Sequence, residues 1–310
     1  MATSNAVLKG IKATWVDLLK PEDLTSNVDI FTTTVQSQSN EENYYISAAN
    51  PGIKALLDEV TFSDVDDFKL NIANQEYFNS IKENRNRIED SKEYMNNSIE
   101  LKLKSISSEV NDFKDDKICD TLLAGSTEAV SQLSIAQFNA FDGKAFFSTT
   151  RNIPGSTAMN NKYTQTGITA TTFEADYAGA RTQLLDMKDG NGRPYNKNPE
   201  LVVFVPPALE LIAKQLLNQE MTLRSSTGSA ISNIYAGDAK VVVNYSLAGS
   251  TQYRWYLINA KRKDLAVYQD RENTTWYMED DNKKNWVGYY YKFRKGTALL
   301  NPFSAIRVST

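Results

Sequence analysis

Residues 184–217 read LLDMKDGNGRPYNKNPELVVFVPPALELIAKQLL, and this stretch decides the fold. A helix-like run ends in a turn built around Asp189 and Gly192. Leu201 to Val205 is then apolar without interruption, the pattern of a strand covered on both faces. Pro206 and Pro207 open a second helix, where the missing N–H of proline costs nothing because the first turn has no intrahelical partner for it. Leu209, Ile212, Ala213, Leu216 and Leu217 give that helix one buried face. The unit is helix–strand–helix. It carries no nucleophile on its turn, no phosphate-cradling glycine pattern and no set of metal ligands.

Working outward, the unit begins near Phe173, with Tyr177, Ala180, Leu184 and Leu185 on one side of its first helix. Residues 152–172 are rich in Ser, Thr, Asn and Gly and read as a linker. Strands are expected at 240–244, 253–258 and 265–269, preceded by a mobile loop, TLRSSTGSAIS. Trp276 opens a final section in which WVGYYYKFR and AIRVS have the aromatic and β-branched content of half-buried strands.

Toward the N-terminus, the first sixty residues read as an extended arm without a core of its own. Polar runs such as TTTVQSQSNEEN separate short apolar patches, Asn50-Pro51-Gly52 is a turn, and Ile53 to Val60 suits a short helix. Phe68–Ile72 and Tyr77–Ile81 read as two strands of a charged hairpin running into KENRNR. The charges Lys82, Glu83, Arg85, Arg87 and Glu89 alternate in sign, so the hairpin is either solvated or set against a neighbouring subunit. Residues 90–123 form the best helix in the chain. Asp90 and Glu93 have the spacing of a capping box. Met95, Ile99, Leu103, Ile106, Val110 and Phe113 recur every three or four residues. Ile118 and Leu122 continue the stripe after a break at Asp115-Asp116, and Gly125 is the stop. A helix of that length spans roughly 50 Å, the spine of an elongated molecule; too few clean heptads favour a coiled coil. In FNAFDGKAFFS, Asp142-Gly143 is a tight turn between aromatic flanks that include Phe146 and Phe147.

Composition narrows the chemistry. The 310 residues are 41% hydrophobic and suffice for a substantial core. No run approaches the ~18 apolar residues of a membrane helix, and the N-terminus lacks the pattern of a secretion signal, so folding in a cytoplasm is expected. Cys119 is the single cysteine, set in an apolar run, and reads as a buried thiol. Histidine is absent, which removes the usual general base and the commonest metal ligand. Ser-His-Asp and Cys-His catalysis fall with it; carboxylate or lysine chemistry survives as a weaker reading. The net charge of −4 gives no basic footprint for nucleic acid. Asp186, Asp189 and Asn191 lack the ligand spacing of an EF-hand. Glu279-Asp280-Asp281 reads as a solvated loop, and Tyr289-Tyr290-Tyr291 as a strand with one core face.

Several segments, in order, resemble the Mu-like major head subunits of tailed bacteriophages. NRIEDSKEYMN, starting at Asn86, is similar to the opening of that family's long helix. FDGKAFFST at 141–149 resembles its Tyr-Asp-Gly-x-x-Phe-Phe segment, with Phe141 in place of the Tyr and no His-Pro pair nearby. GRPYNKNPELVVFVPPALELIAKQLL, RWYLINA and VGYYYKFRKGTALLNPFSAIRVS follow at matching spacing. The resemblance runs from Phe68 onward, about three quarters of the chain.

It implies an α+β protein of the Hong Kong 97 capsid type. The implied divisions are an N-terminal arm (1–60), an extended loop (61–90), a peripheral domain with the spine helix (91–165), an axial domain (166–270), and strands returning to the peripheral domain with the C-terminal end (271–310). The implied function is a major head protein whose hexamers and pentamers close an icosahedral shell around double-stranded DNA. Expected partners are other copies, a scaffolding protein, a portal, a decoration protein and DNA bound non-specifically, with no membrane and no cofactor. The virion is its place. Some relatives crosslink Lys to Asn, and no such pair is marked here. A nanocompartment shell holding cargo enzymes is the alternative of the same fold.

Overall fold

A computed structural model of the chain describes residues 26–47, 67–90, 100–125, 140, 143–151, 159–189, 192–223, 230–247, 253–281 and 285–310. The described chain begins with a 3-10 turn, Asn27–Ile30, and strand β1, Thr32–Gln36. Strands β2 (Glu41–Ser47), β3 (Asp67–Ala73) and β4 (Gln75–Asn84) follow, then the short helix α1 (Arg85–Asp90) and the long helix α2 (Glu100–Ala124). Strand β5 (Lys162–Thr164), helix α3 (Ala170–Leu185), strand β6 (Leu201–Val205) and helix α4 (Glu210–Asn218) come next. The remainder is β7 (Met221–Leu223), β8 (Ala230–Ser232), β9 (Ala239–Val243), β10 (Trp255–Asn259), β11 (Ala266–Asp281), β12 (Trp286–Leu299) and β13 (Ala305–Ser309).

Two sheets organise these elements. A five-stranded sheet has the order β5-β13-β10-β6-β9, and a four-stranded sheet the order β1-β11-β12-β4. The apolar run expected at Leu201–Val205 is the fully buried strand β6, paired with β10 on one side and β9 on the other. Its side chains alternate between two cores, as strand geometry requires. Leu201, Val203 and Val205 join Phe173, Tyr177, Leu184, Ala213 and Leu217 beneath α3 and α4. Val202 and Phe204 face the other way, toward Val28, Phe31, Phe146, Phe147 and the end of α2 at Ile118, Cys119 and Leu122. Helix α3 starts in a capping box made by Thr169 and Thr172, three residues before the expected start at Phe173. The helix after Pro206-Pro207 begins as a 3-10 turn, Pro207–Leu209, before Glu210.

The four-stranded sheet carries α2 on one face. Val287, Tyr289, Tyr291 and Phe293 of β12 point toward the core, whereas Tyr290, Lys292 and Arg294 alternate outward, as expected for the tyrosine run. Phe113 of α2 sits edge-on to both Tyr77 and Phe293, at 4.7 Å each. The helix stays unbroken through Asp115 and Asp116, contrary to the expected break. Both aspartates keep their charges outside the core by bonding to serines: Ser26 donates to Asp115 and Ser246 to Asp116.

Other expectations are corrected. Phe68–Ile72 and Tyr77–Ile81 do not pair with each other. Strand β3 pairs antiparallel with β2, from Glu41↔Ala73 to Ser47↔Asp67, and β4 pairs antiparallel with β12, from Trp286↔Asn84 to Lys295↔Gln75. The aromatic face of β12 offers β4 far more burial than the charged β3 does, so the tertiary partner wins over the sequence neighbour. Asp90 is the last described residue of α1, and the capping box expected with Glu93, like Met95 and Ile99, lies outside the described residues. The strand expected at 265–269 runs on to Asp281 through two irregularities of register, so Glu279-Asp280-Asp281 is strand, paired with Trp286–Gly288, and not loop. The ends of TLRSSTGSAIS form the hairpin β7–β8.

Candidate subunit interface

The FDGKAFF segment joins the two halves of the molecule. Asp142 lies outside the described residues. Gly143 adopts φ +72° and donates to the carbonyl of Ala140 at 2.9 Å, closing the expected turn where a Cβ is disfavoured. Phe146 and Phe147 then pack edge-to-face at 5.0 Å, and Phe147 reaches the Tyr256 ring at 5.5 Å. The Phe147 N–H bonds the carbonyl of Gly125, just past α2. At that helix end, the Leu122 carbonyl accepts from the Tyr256 hydroxyl and the Leu123 carbonyl from Arg254, a cation placed where the helix dipole favours it. The motif therefore locks the spine helix to the five-stranded sheet.

The DGNG turn is likewise structural. Gly192 has φ +73°, its N–H bonds the Asp189 carbonyl, and one Asp189 carboxylate oxygen accepts from the Arg193 N–H at 2.9 Å. Pro206 ends β6 in extended geometry, and Pro207 starts the turn into α4. Among the described residues no group of three or more acidic or sulfur ligands gathers as a metal would need. Buried Asp176 accepts from the Thr166 N–H and hydroxyl, which accounts for its charge as a loop clamp. Burial pushes the Cys119 thiol well above its ordinary range, as suits an inert core group.

The five charges singled out in the sequence do not share one environment. Glu83 is buried and pairs with Lys102 of α2 inside the subunit. Lys82 lies 5.0 Å over the Trp286 ring, and that indole in turn covers Gly288, where a Cβ would come within 2.7 Å of it. Arg85 is half-buried at the start of α1, and its N–H bonds the Asn285 carbonyl at 3.2 Å; Arg87 is exposed. Glu89 is the penultimate residue of α1. Sequence reasoning treated these as one hairpin. The signal it passed over was Trp286, an aromatic able to draw β4 onto β12.

The hairpin β2–β3 is, like β7–β8, a two-stranded sheet of its own. Leu70 and Ile72 pack near its base on Val267 and Ala298, with Tyr44 beside them. The Tyr44 hydroxyl accepts from Gln269 at 3.0 Å, and Asn74 donates to Ser37 and to the Ser39 carbonyl. Tyr45, on the other face, is exposed. Strand β1 lies inside the polar run TTTVQSQSNEEN and β2 begins at its end, both within the stretch that read as an extended arm.

Comparison with known proteins follows this geometry. A family model described as phage capsid protein matches residues 107–308, and one described as Mu-like prophage major head subunit gpT matches residues 5–173. The second match includes the arm before Phe68, where the sequence resemblance had stopped. No curated protein sequence matches the chain. Among solved structures, the mature capsid of bacteriophage PhiM1 is similar with a TM-score of 0.57 at 13% identity, over 94% of this chain and 88% of that one. The capsid of an empty GTA particle gives 0.56 at 9% identity, over 93% and 91%. Microbacterium phage Oxtober96 gives 0.54 at 15% identity, over 94% and 92%. At such identities the structures speak for the fold, which is the Hong Kong 97 capsid type, an α+β architecture. The family models speak for the role. The chain belongs to the phage capsid proteins and, with the Mu-like prophage major head subunits, is a major head protein of an icosahedral shell.

Proposed function

We propose that this subunit assembles into hexamers and pentamers that close around double-stranded DNA, and that it does so without catalysing a reaction. The observation that carries the reading is the hairpin β2–β3. A two-stranded sheet is marginal alone in water, and among the described residues of this one the buried apolar side chains are Leu70 and Ile72, packed on Val267 and Ala298. Its remaining stabilisation comes from neighbouring copies. The projecting loop is accordingly the chain from Glu41 to Ala73 and not 61–90, with β4 part of the peripheral domain beside α2. The axial domain is the five-stranded sheet with α3 and α4, to which the C-terminal strand β13 also returns.

Of the five charges, Lys82, Arg85, Arg87 and Glu89 are proposed as rim contacts between subunits, each worth roughly 0–1 kcal/mol. Glu83 serves the subunit's own fold. A scaffolding protein, a portal and a decoration protein are the further partners. With a net charge of −4, contact with DNA is non-specific. Assembly takes place in the host cytoplasm. The absence of histidine, and the structural use of Asp176 and Asp189, support a purely structural role.

Excision of the hairpin tests this. A variant in which residues 41–73 are replaced by a short glycine–serine linker is expected to keep a cooperative melt and to sediment as a small species, whereas the parent chain forms particles. Particles of normal size from the variant would contradict the proposal.

A further inference from the structure

We propose that residues 26–36 form a strap that fixes the angle between the two sheets of the subunit, with Asp115 as the positioning residue that holds it in line. This short segment touches both sheets and the long helix α2. Val28 and Phe31 have no exposed surface, and the Phe31 ring meets Phe204, on the central strand β6, edge-on at 5.2 Å. The Asn27 side chain donates to the Val243 carbonyl at the end of β9, the edge of the five-stranded sheet, at 3.4 Å. Strand β1 then pairs in parallel with β11, the four-stranded sheet, from Thr32↔Ala266 to Gln36↔Asp270. Between these attachments the strap is held to α2. The two carboxylate oxygens of Asp115 accept separately from the Ser26 hydroxyl and the Asn27 N–H. Lys114 pairs with Asp29 and donates to the Thr34 hydroxyl at 2.8 Å. The adjacent Asp116 accepts from Ser246, just past β9, so two consecutive aspartates hold the strap and the strand edge it spans to one turn of helix.

The apolar anchors keep the strap in the body, and the polar clasp governs its direction. Charge-assisted hydrogen bonds are directional in a way that apolar contacts are not, so loss of the clasp frees the angle without emptying the core. A subunit with a looser angle would close shells of mixed curvature. That consequence rests on the shell-forming role proposed above; the effect on the angle does not.

The test places spin labels on exposed Lys240 of β9 and exposed Thr275 of β11 through cysteine substitutions, Cys119 being buried. Distance distributions are compared for the parent chain, Asp115→Ala, and the double variant Ser26→Ala/Asn27→Ala. The expected result is a distribution about twofold broader in both variants, a melting temperature within a few degrees of the parent, and particles of uneven diameter. An unchanged distribution overturns the proposal, as does unfolding of both variants, which would make the segment merely part of the core. Broadening with particles as uniform as the parent's overturns the link to curvature. A parent chain that makes no particles counts against the shell-forming role and not against the strap.

Discussion

Gly143 and Gly192 show what a single residue contributes. Both have positive φ, and a Cβ at either would meet nothing within 4 Å. The cost of alanine there is purely conformational, about 1–2 kcal/mol for an L-residue held in left-handed geometry. Gly143→Ala and Gly192→Ala are each expected to lower stability by that amount in denaturant melts, with no change in particle shape once folded. Glu83 behaves differently from its charged neighbours. Glu83 is buried but its partner Lys102 is 44% exposed and stays hydrated when the carboxylate is removed, so Glu83→Ala is expected to cost about 1 kcal/mol, at the top of the range for a solvent-screened pair. Arg87→Ala, at an exposed site, stays within about 0.5 kcal/mol, and the same denaturant melts separate the two. The tyrosines set the response to alkali. Burial is the largest cause raising Tyr177, Tyr256 and Tyr268 above the ordinary phenol value of 10.0, with the Asp238 carboxylate adding to it at Tyr177. A group raised in the folded state contributes fully below its unfolded value and loses that contribution as pH rises through the folded one. Melting temperature is therefore expected to stay level from pH 7 to 9 and to fall steeply above about pH 10. Tyr256→Phe, which lacks the bond to the Leu122 carbonyl, should start lower but fall less steeply.

The elements differ in how far the sequence reveals them. Strands β6 and β13 were legible to the residue, β6 as a continuous apolar run between turn signals and β13 through its β-branched Ile306 and Val308. The helix starting at Ala170 was legible in kind, and its capping box at Thr169 explains the three residues by which its start was missed. Thr169→Ala is expected to cost about 1 kcal/mol, readable as earlier fraying of α3 in hydrogen exchange. Strand β2 was not legible. Its residues, Glu41 to Ser47, hold the strand formers Tyr44, Tyr45 and Ile46, but polar neighbours on both sides mask that short patch, and its ladder with β3 is a contact the local pattern does not encode. Strand β4 was legible as a strand at Tyr77–Ile81, but its partner, β12, lies about two hundred residues away and was not. The spine helix was legible through its stripe, yet the pair Asp115-Asp116 misled, since their acceptors are filled by serines from two distant segments. As for the interface, the charges at 82–89 were visible but their sorting was not. Only the β4–β12 register separates inward Glu83 from outward Lys82.

At the scale of the whole molecule, two sheets share one core through the end of the spine helix, and a hairpin projects from that body. The five-stranded unit is covered on both faces by its own chain. The β2–β3 hairpin packs Leu70 and Ile72 on Val267 and Ala298, and in the proposed shell neighbouring copies would cover the rest. If the proposed rim contacts recur at every subunit boundary, their sum drives closure while each one stays sensitive to salt. Neutralising Arg85 and Arg87 together is expected to reduce particle yield with little change in subunit melting, and most at low salt, where screening is least; equal yields across a salt series would place these arginines outside any contact. The most direct test of the central claim is electron cryo-microscopy of the purified chain, alone and with a scaffolding protein. The account predicts closed shells with five- and six-fold clusters, in which the hairpin from Glu41 to Ala73 of one subunit rests on another. Monomers or small open oligomers under every condition would contradict it.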